Sequence, residues 1–73
     1  MITAKQSRMA RVALNWTTSE LAEYAGVGRA TVARFELGNA VADESAARVR
    51  VAFEAAGATF SASGDRVSVS VPK

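Results

Sequence analysis

A chain of 73 residues has room for one small core, which buries only about 60% of the surface exposed on unfolding, so stability is expected to be marginal. At 49% hydrophobic and 22% charged it is too apolar for a disordered tail, and without Cys or His it has neither a disulfide framework nor the usual zinc ligands. The net charge of +2 is uneven: residues 1 to 38 carry five Lys/Arg against three Glu, and residues 39 to 73 carry four of each sign.

No apolar run is long enough to cross a bilayer, and Lys5, Arg8 and Arg11 break the stretch a signal peptide would need. The expectation is a cytoplasmic protein with no membrane partner. An N-terminal basic excess suits an anionic partner without requiring one.

In chain order, Thr3 caps a first helix with Ala10, Ala13 and Leu14 on its inner face, and Asn15, which tolerates the left-handed conformation, ends it. Thr17 or Thr18 caps a short second helix, with Glu20 in its first turn and Leu21, Ala22 and Ala25 inward. Trp16, just before that cap, is expected to staple the helix or fill the core. Gly26 stops the second helix, because a residue without a Cβ enters the left-handed region cheaply.

Val27 turns inward, and Ala30 to Glu36 form a third helix with Val32 and Phe35 on one face, closed by Gly38. Asn39 to Ala42 make a loop. Asp43 or Ser45 opens a fourth helix that runs to about Ala56, with Val49, Ala52, Phe53 and Ala56 as its buried stripe, and Gly57 ends it. The period then changes to two: Phe60 and then Val67, Val69 and Val71 alternate with polar residues around a Ser63-Gly64-Asp65 turn, as in a β-hairpin. The expected division is residues 1–57 as the helical part and 58–73 as the hairpin. A lone ribbon is barely stable, so it must pack on the helices or pair with another chain.

Two short helices joined around a glycine define a helix-turn-helix, whose second helix lies in the DNA major groove. Ala22 supplies the small residue where the helices approach, Gly26 the turn, and Leu21, Ala25, Val27, Val32 and Phe35 the apolar wedge. The stretch LAEYAGVGRATVARFELG, Leu21 to Gly38, resembles the Cro/cI-type or XRE family, with its Q-x-x-L-A-x-x-A-G-V-S-x-x-T-V/I-x-x-x-E-x-G run. Leu21, Ala22, Ala25, Gly26, Val27, Thr31, Val32, Glu36 and Gly38 match at fixed spacing, and the resemblance covers Ile2 to Gly57.

That resemblance implies a mainly α, lambda-repressor-like domain of four helices, to which this chain adds the hairpin. It places Arg29, Ala30, Ala33 and Arg34 on the groove-facing side of the third helix, and Thr18 where the family carries a glutamine that touches phosphate. It also pairs Arg11 with Glu36, a structural link that would orient Arg11 as a donor near phosphate. Arginine bonds bidentately to guanine, and Ala30 or Ala33 suits a thymine methyl, so guanines are expected in the half-site. Lys5, Arg8, Thr17 and Asn39 complete the expected phosphate contacts, which position without reading sequence. The chain departs from the pattern at Gly28, which stands in place of the capping serine.

Outside this frame, surface arginines are ordinarily solvated, and the valine stripe keeps two readings: packing on its own helices, or an edge strand joining a homodimer across a two-fold axis. Catalysis is not expected, since the sequence has no nucleophile–base set or phosphate loop and its carboxylates are scattered. The expected partner is double-stranded DNA, bound by a repressor acting as a homodimer, with no cofactor, metal or small-molecule ligand. The alternative is a protein partner, gripped by an antitoxin or anti-activator on the same scaffold.

Overall fold

A computed structural model describes residues 1–73 as four helices and a two-stranded antiparallel hairpin. The helices are α1 (Ala4–Ala13), α2 (Thr18–Ala25), α3 (Arg29–Glu36) and α4 (Asp43–Ala55), and the strands are β1 (Thr59–Ser63) and β2 (Arg66–Ser70). None of the helices is long and apolar enough to cross a membrane.

α1 and α2 each begin with a reciprocal capping box. Thr3 Oγ1 accepts from Gln6 N while Gln6 Oε1 accepts from Thr3 N, both at 3.0 Å. Thr17 and Glu20 repeat the arrangement at 3.0 and 2.9 Å, which makes Thr17, not Thr18, the cap. Asn15 takes a φ of 59°, the left-handed turn expected of it, one residue after α1 is capped by Leu14.

Several expectations need correction. α3 begins at Arg29, one residue earlier than expected, because Gly28 already has the extended conformation of a cap. Asp43 does open α4, as one of the two expected starts, but Ala42 occupies the cap and makes no side-chain bond, so neither Asp43 nor Ser45 caps the helix. Ala13 is exposed, and Ala56 is half-buried instead of part of the stripe. The inner face of α1 is Gln6, Ser7 and Ala10, two of them polar, and an apolar-periodicity argument passes over such positions.

The core gathers Ile2, Ala10, Leu21, Ala22, Ala25, Val32, Phe35, Ala46, Val49, Ala52, Phe53 and Ala58. Phe53 is its centre: the Trp16 ring stacks on it at 5.6 Å and Phe60 meets it edge-on at 5.9 Å, so the hairpin and the α1–α2 loop share one aromatic cluster. Trp16 thus fills the core edge, with Tyr24 against its outer side at 4.6 Å.

The hairpin turn is the two residues Gly64 and Asp65, since Ser63 pairs with Arg66 as the last rung of the ladder. Gly64 has φ +58° and Asp65 does not enter the positive region, the pattern of a II′ turn with glycine first. Inward packing claims much of the valine stripe, because Phe60, Val69 and Val71 lie against the helical core. Gln6 fixes the ribbon in place, its Nε2 donating to the main-chain oxygens of Ser61 at 2.9 Å and Ser68 at 3.3 Å.

Candidate nucleic-acid interface

The turn between α2 and α3 is three residues long, Gly26 to Gly28. Gly26 sits at φ 70°, ψ 34°, which is left-handed space that glycine enters at little cost. Its N–H donates to the Glu23 oxygen at 3.3 Å, and Val27 N–H reaches back to the Ala22 oxygen at 3.1 Å. The half-buried Val27 side chain then packs on the core. Gly28 receives Thr31 N–H and Val32 N–H at 3.1 and 3.2 Å, so α3 starts immediately at a fixed angle.

Fully buried Leu21 and Val32, with Ala22 5% exposed, lie between α2 and α3 and let the two helices approach closely. The tilt of α3 therefore follows from packing and a left-handed turn. The same turn is held from α4, where the Arg48 guanidinium bridges the Gly26 oxygen at 3.4 Å and Glu44 at 2.9 Å.

α3 is two-sided. Val32, Phe35 and Glu36 are buried, whereas Arg29, Ala30, Ala33 and Arg34 are all exposed and none is covered by another element of the chain. Leu37, one turn beyond Ala33, extends the exposed side and is 77% accessible. Sequence reasoning missed it, although its i+4 spacing from Ala33 was a usable signal. The Arg29 side chain makes no hydrogen bond or ion pair within the chain, and Arg34 donates to the Ala40 oxygen at 3.3 Å, which steers its guanidinium toward the α3–α4 loop. A shallow hollow between that loop and α3 is lined by Thr31, Arg34, Ala40, Val41, Ala42 and Ser45. Asn39 is exposed in the same loop, its N–H bonded to the Arg34 oxygen at 3.0 Å.

The other expected phosphate groups are spread more widely. Lys5 and Arg8 are exposed on α1, and Arg8 Nη1 donates to the Glu36 main-chain oxygen at the carbonyl end of α3, where a cation offsets the helix dipole. Thr17 is engaged in its capping box, and Thr18 is half-buried beside it. Arg11 faces inward. Its Nε lies 3.1 and 3.2 Å from the two Glu36 carboxylate oxygens, its Nη2 3.0 Å from one of them, and its Nη1 bonds the Trp16 oxygen at 3.2 Å. Ser7 Oγ completes the set by donating to Glu36 at 2.7 Å. Glu36 is consequently a buried anion with every contact satisfied, and no buried side-chain polar atom in the chain lacks a partner.

A helix held at a set angle by a tight turn, with one face packed and the other bare and basic, is the construction of a helix-turn-helix DNA-binding domain. Comparison with known protein families matches residues 8–54 to the helix-turn-helix family. The chain belongs to that family, in its Cro/cI or XRE form, whose members are DNA-binding regulators. No curated protein matches it.

Proposed function

We propose that the chain is a sequence-specific transcriptional repressor that acts in the cytoplasm and occupies a pseudo-palindromic operator as a homodimer, with α3 in the major groove. The bare face of α3 carries this reading: Arg29, Ala30, Ala33 and Arg34 are exposed together on a helix whose opposite face is locked into the core. Arg29 and Arg34 read guanines, the two alanines leave room for thymine methyl groups, and Leu37 extends that apolar contact. Lys5, Arg8, Thr18 and Asn39 position the domain on phosphates. Arg11 acts through Glu36, holding the end of α3 in place.

Half-sites about 34 Å apart demand two joined copies. In this reading residues 1–57 read DNA and 58–73 join the copies; of the stripe Val67, Val69 and Val71, Val67 is the one not already packed on the core. A mobility-shift titration against DNA from the region upstream of the coding sequence tests it at two salt concentrations. Binding that weakens steeply with salt and protects two half-sites supports the proposal. Absence of any shift at low salt contradicts it.

A protein partner is the second reading. It draws on the exposed apolar residues Tyr24 and Val51, which line one hollow between α2 and α4 together with Ala47 and Ala55. An antitoxin or anti-activator would use such a surface while leaving α3 free.

A further inference from the structure

We infer that the face between α2 and α4 receives an amphipathic helix of another protein, which seats apolar side chains beside Tyr24 and Val51 and sets basic side chains against an acidic rim. The inference rests on the second reading above and names the chemistry of that partner.

Two hollows adjoin on this face and share Tyr24, Ala52 and Ala55 as lining. One runs to Trp16 and the other to Ala47 and Val51. Tyr24 is 56% exposed and Val51 61%, so the chain leaves a continuous apolar strip open to solvent, of the kind that marks a protein-binding surface. An aromatic side chain at the centre of such a strip is the composition enriched in interface cores.

Volume decides between a small molecule and a side chain. The hollows measure about 300 and 310 Å³, the floor of what small-molecule sites enclose, and both open to solvent along the furrow between the two helices. On α4 the strip is the line Ala47, Val51 and Ala55, one turn apart, with a small residue at either end. Such a line leaves room for the ridge of a third helix to lie along the furrow.

Charge selects the partner. Glu20 lies one turn before Tyr24 on α2 and Glu23 adjoins it in sequence, and neither is paired with a cation, since the ion pairs of the chain are Arg11–Glu36, Arg48–Glu44 and Arg50–Glu54. The one cation lining either hollow, Arg48, is engaged by Glu44 of the same hollow. The rim is therefore acidic on a chain whose net charge is +2. That sign repels DNA, and a second copy seated on the same face would bring two acidic rims together. A basic helix meets neither obstacle. Its site also leaves the reading face free, because Arg29, Ala30, Ala33 and Arg34 line neither hollow.

The test uses two synthetic helices as probes, cross-linked so that they stay helical in water. Both carry the same leucine stripe, flanked by lysine and arginine in one and by glutamate in the other. Each is titrated into the full chain, with the emission of Trp16, its single tryptophan, and the backbone amide shifts as readouts. The basic probe is expected to change Trp16 emission, to shift amides of α2 and α4 but not of α3, and to bind about tenfold more tightly than its acidic twin. Glu23→Gln combined with Glu44→Gln should narrow that preference, and Val51→Ser should weaken both probes with unchanged circular dichroism. Equal binding of the two probes at this face, tighter binding of the acidic one, or a preference that survives both glutamine substitutions in full overturns the basic partner while leaving the second reading standing. Absence of any shift in α2 and α4 overturns both.

Discussion

Arg11 on α1 and Glu36 at the end of α3 form an ion pair at 3.0 Å in which the carboxylate is nearly sealed from solvent, at 6% side-chain exposure, while the arginine remains 20% exposed. The pair ties the first helix to the far end of α3, and Ser7 holds the same carboxylate from a third direction. An anion at a helix C-terminus opposes the dipole, so Glu36 depends on these partners.

Removing one side of such a pair leaves a buried charge without compensation. Arg11→Ala is therefore expected to cost about 3 kcal/mol of folding stability, a large fraction of what a domain of this size possesses. Arg48→Ala, which breaks an exposed i,i+4 pair with Glu44, is expected to cost under about 1 kcal/mol. Urea denaturation of the two variants checks the contrast, which comparable losses would contradict.

Gln6 joins two structures through one amide: its oxygen closes the α1 capping box and its nitrogen holds both strands. Gln6→Leu keeps the bulk but abandons these bonds. We expect a loss of about 2 kcal/mol, concentrated in the ribbon. Amide exchange should accelerate in residues 59–70 more than in α2 or α3. Uniform acceleration over the whole chain would show that the ribbon does not depend on this contact.

The cap of α3 offers a change in the opposite direction. Gly28 has an extended backbone, and a Cβ there would meet only Thr31 Oγ1 at 3.8 Å, an ordinary contact. Gly28→Ser supplies the missing side-chain acceptor and should raise stability by a few tenths of a kcal/mol or slightly more. Thermal unfolding reads the shift. A lowered midpoint would mean that the turn needs glycine for another reason.

Much of this arrangement was legible in the sequence because it rests on local chemistry. Gly26, Thr17 with Glu20, and the spacing of Leu21, Ala22, Val32 and Phe35 announce two helices and a turn before any long-range contact is known. The change of period after Gly57 likewise announces the hairpin. Buried polar groups were harder to see. Ser7 and Gln6 are core residues only because Glu36 and the strand oxygens come to meet them, and no periodicity in α1 encodes those partners. At the candidate interface, the exposure of Arg29 and Arg34 followed from the helical spacing. The inward pairing of Arg11 with Glu36 followed from the family resemblance, but its bond to the Trp16 oxygen did not, since that oxygen is placed by the α1–α2 loop.

The central claim is that the exposed arginines of α3 read DNA. It is tested most directly by measuring the affinity of wild type, Arg29→Ala and Arg34→Ala for the upstream operator and for unrelated DNA at fixed salt, with circular dichroism on each. Each substitution should cost about 1–3 kcal/mol on the operator and far less on unrelated DNA, with the fold unchanged. Folded variants that bind the operator as tightly as wild type would contradict the claim.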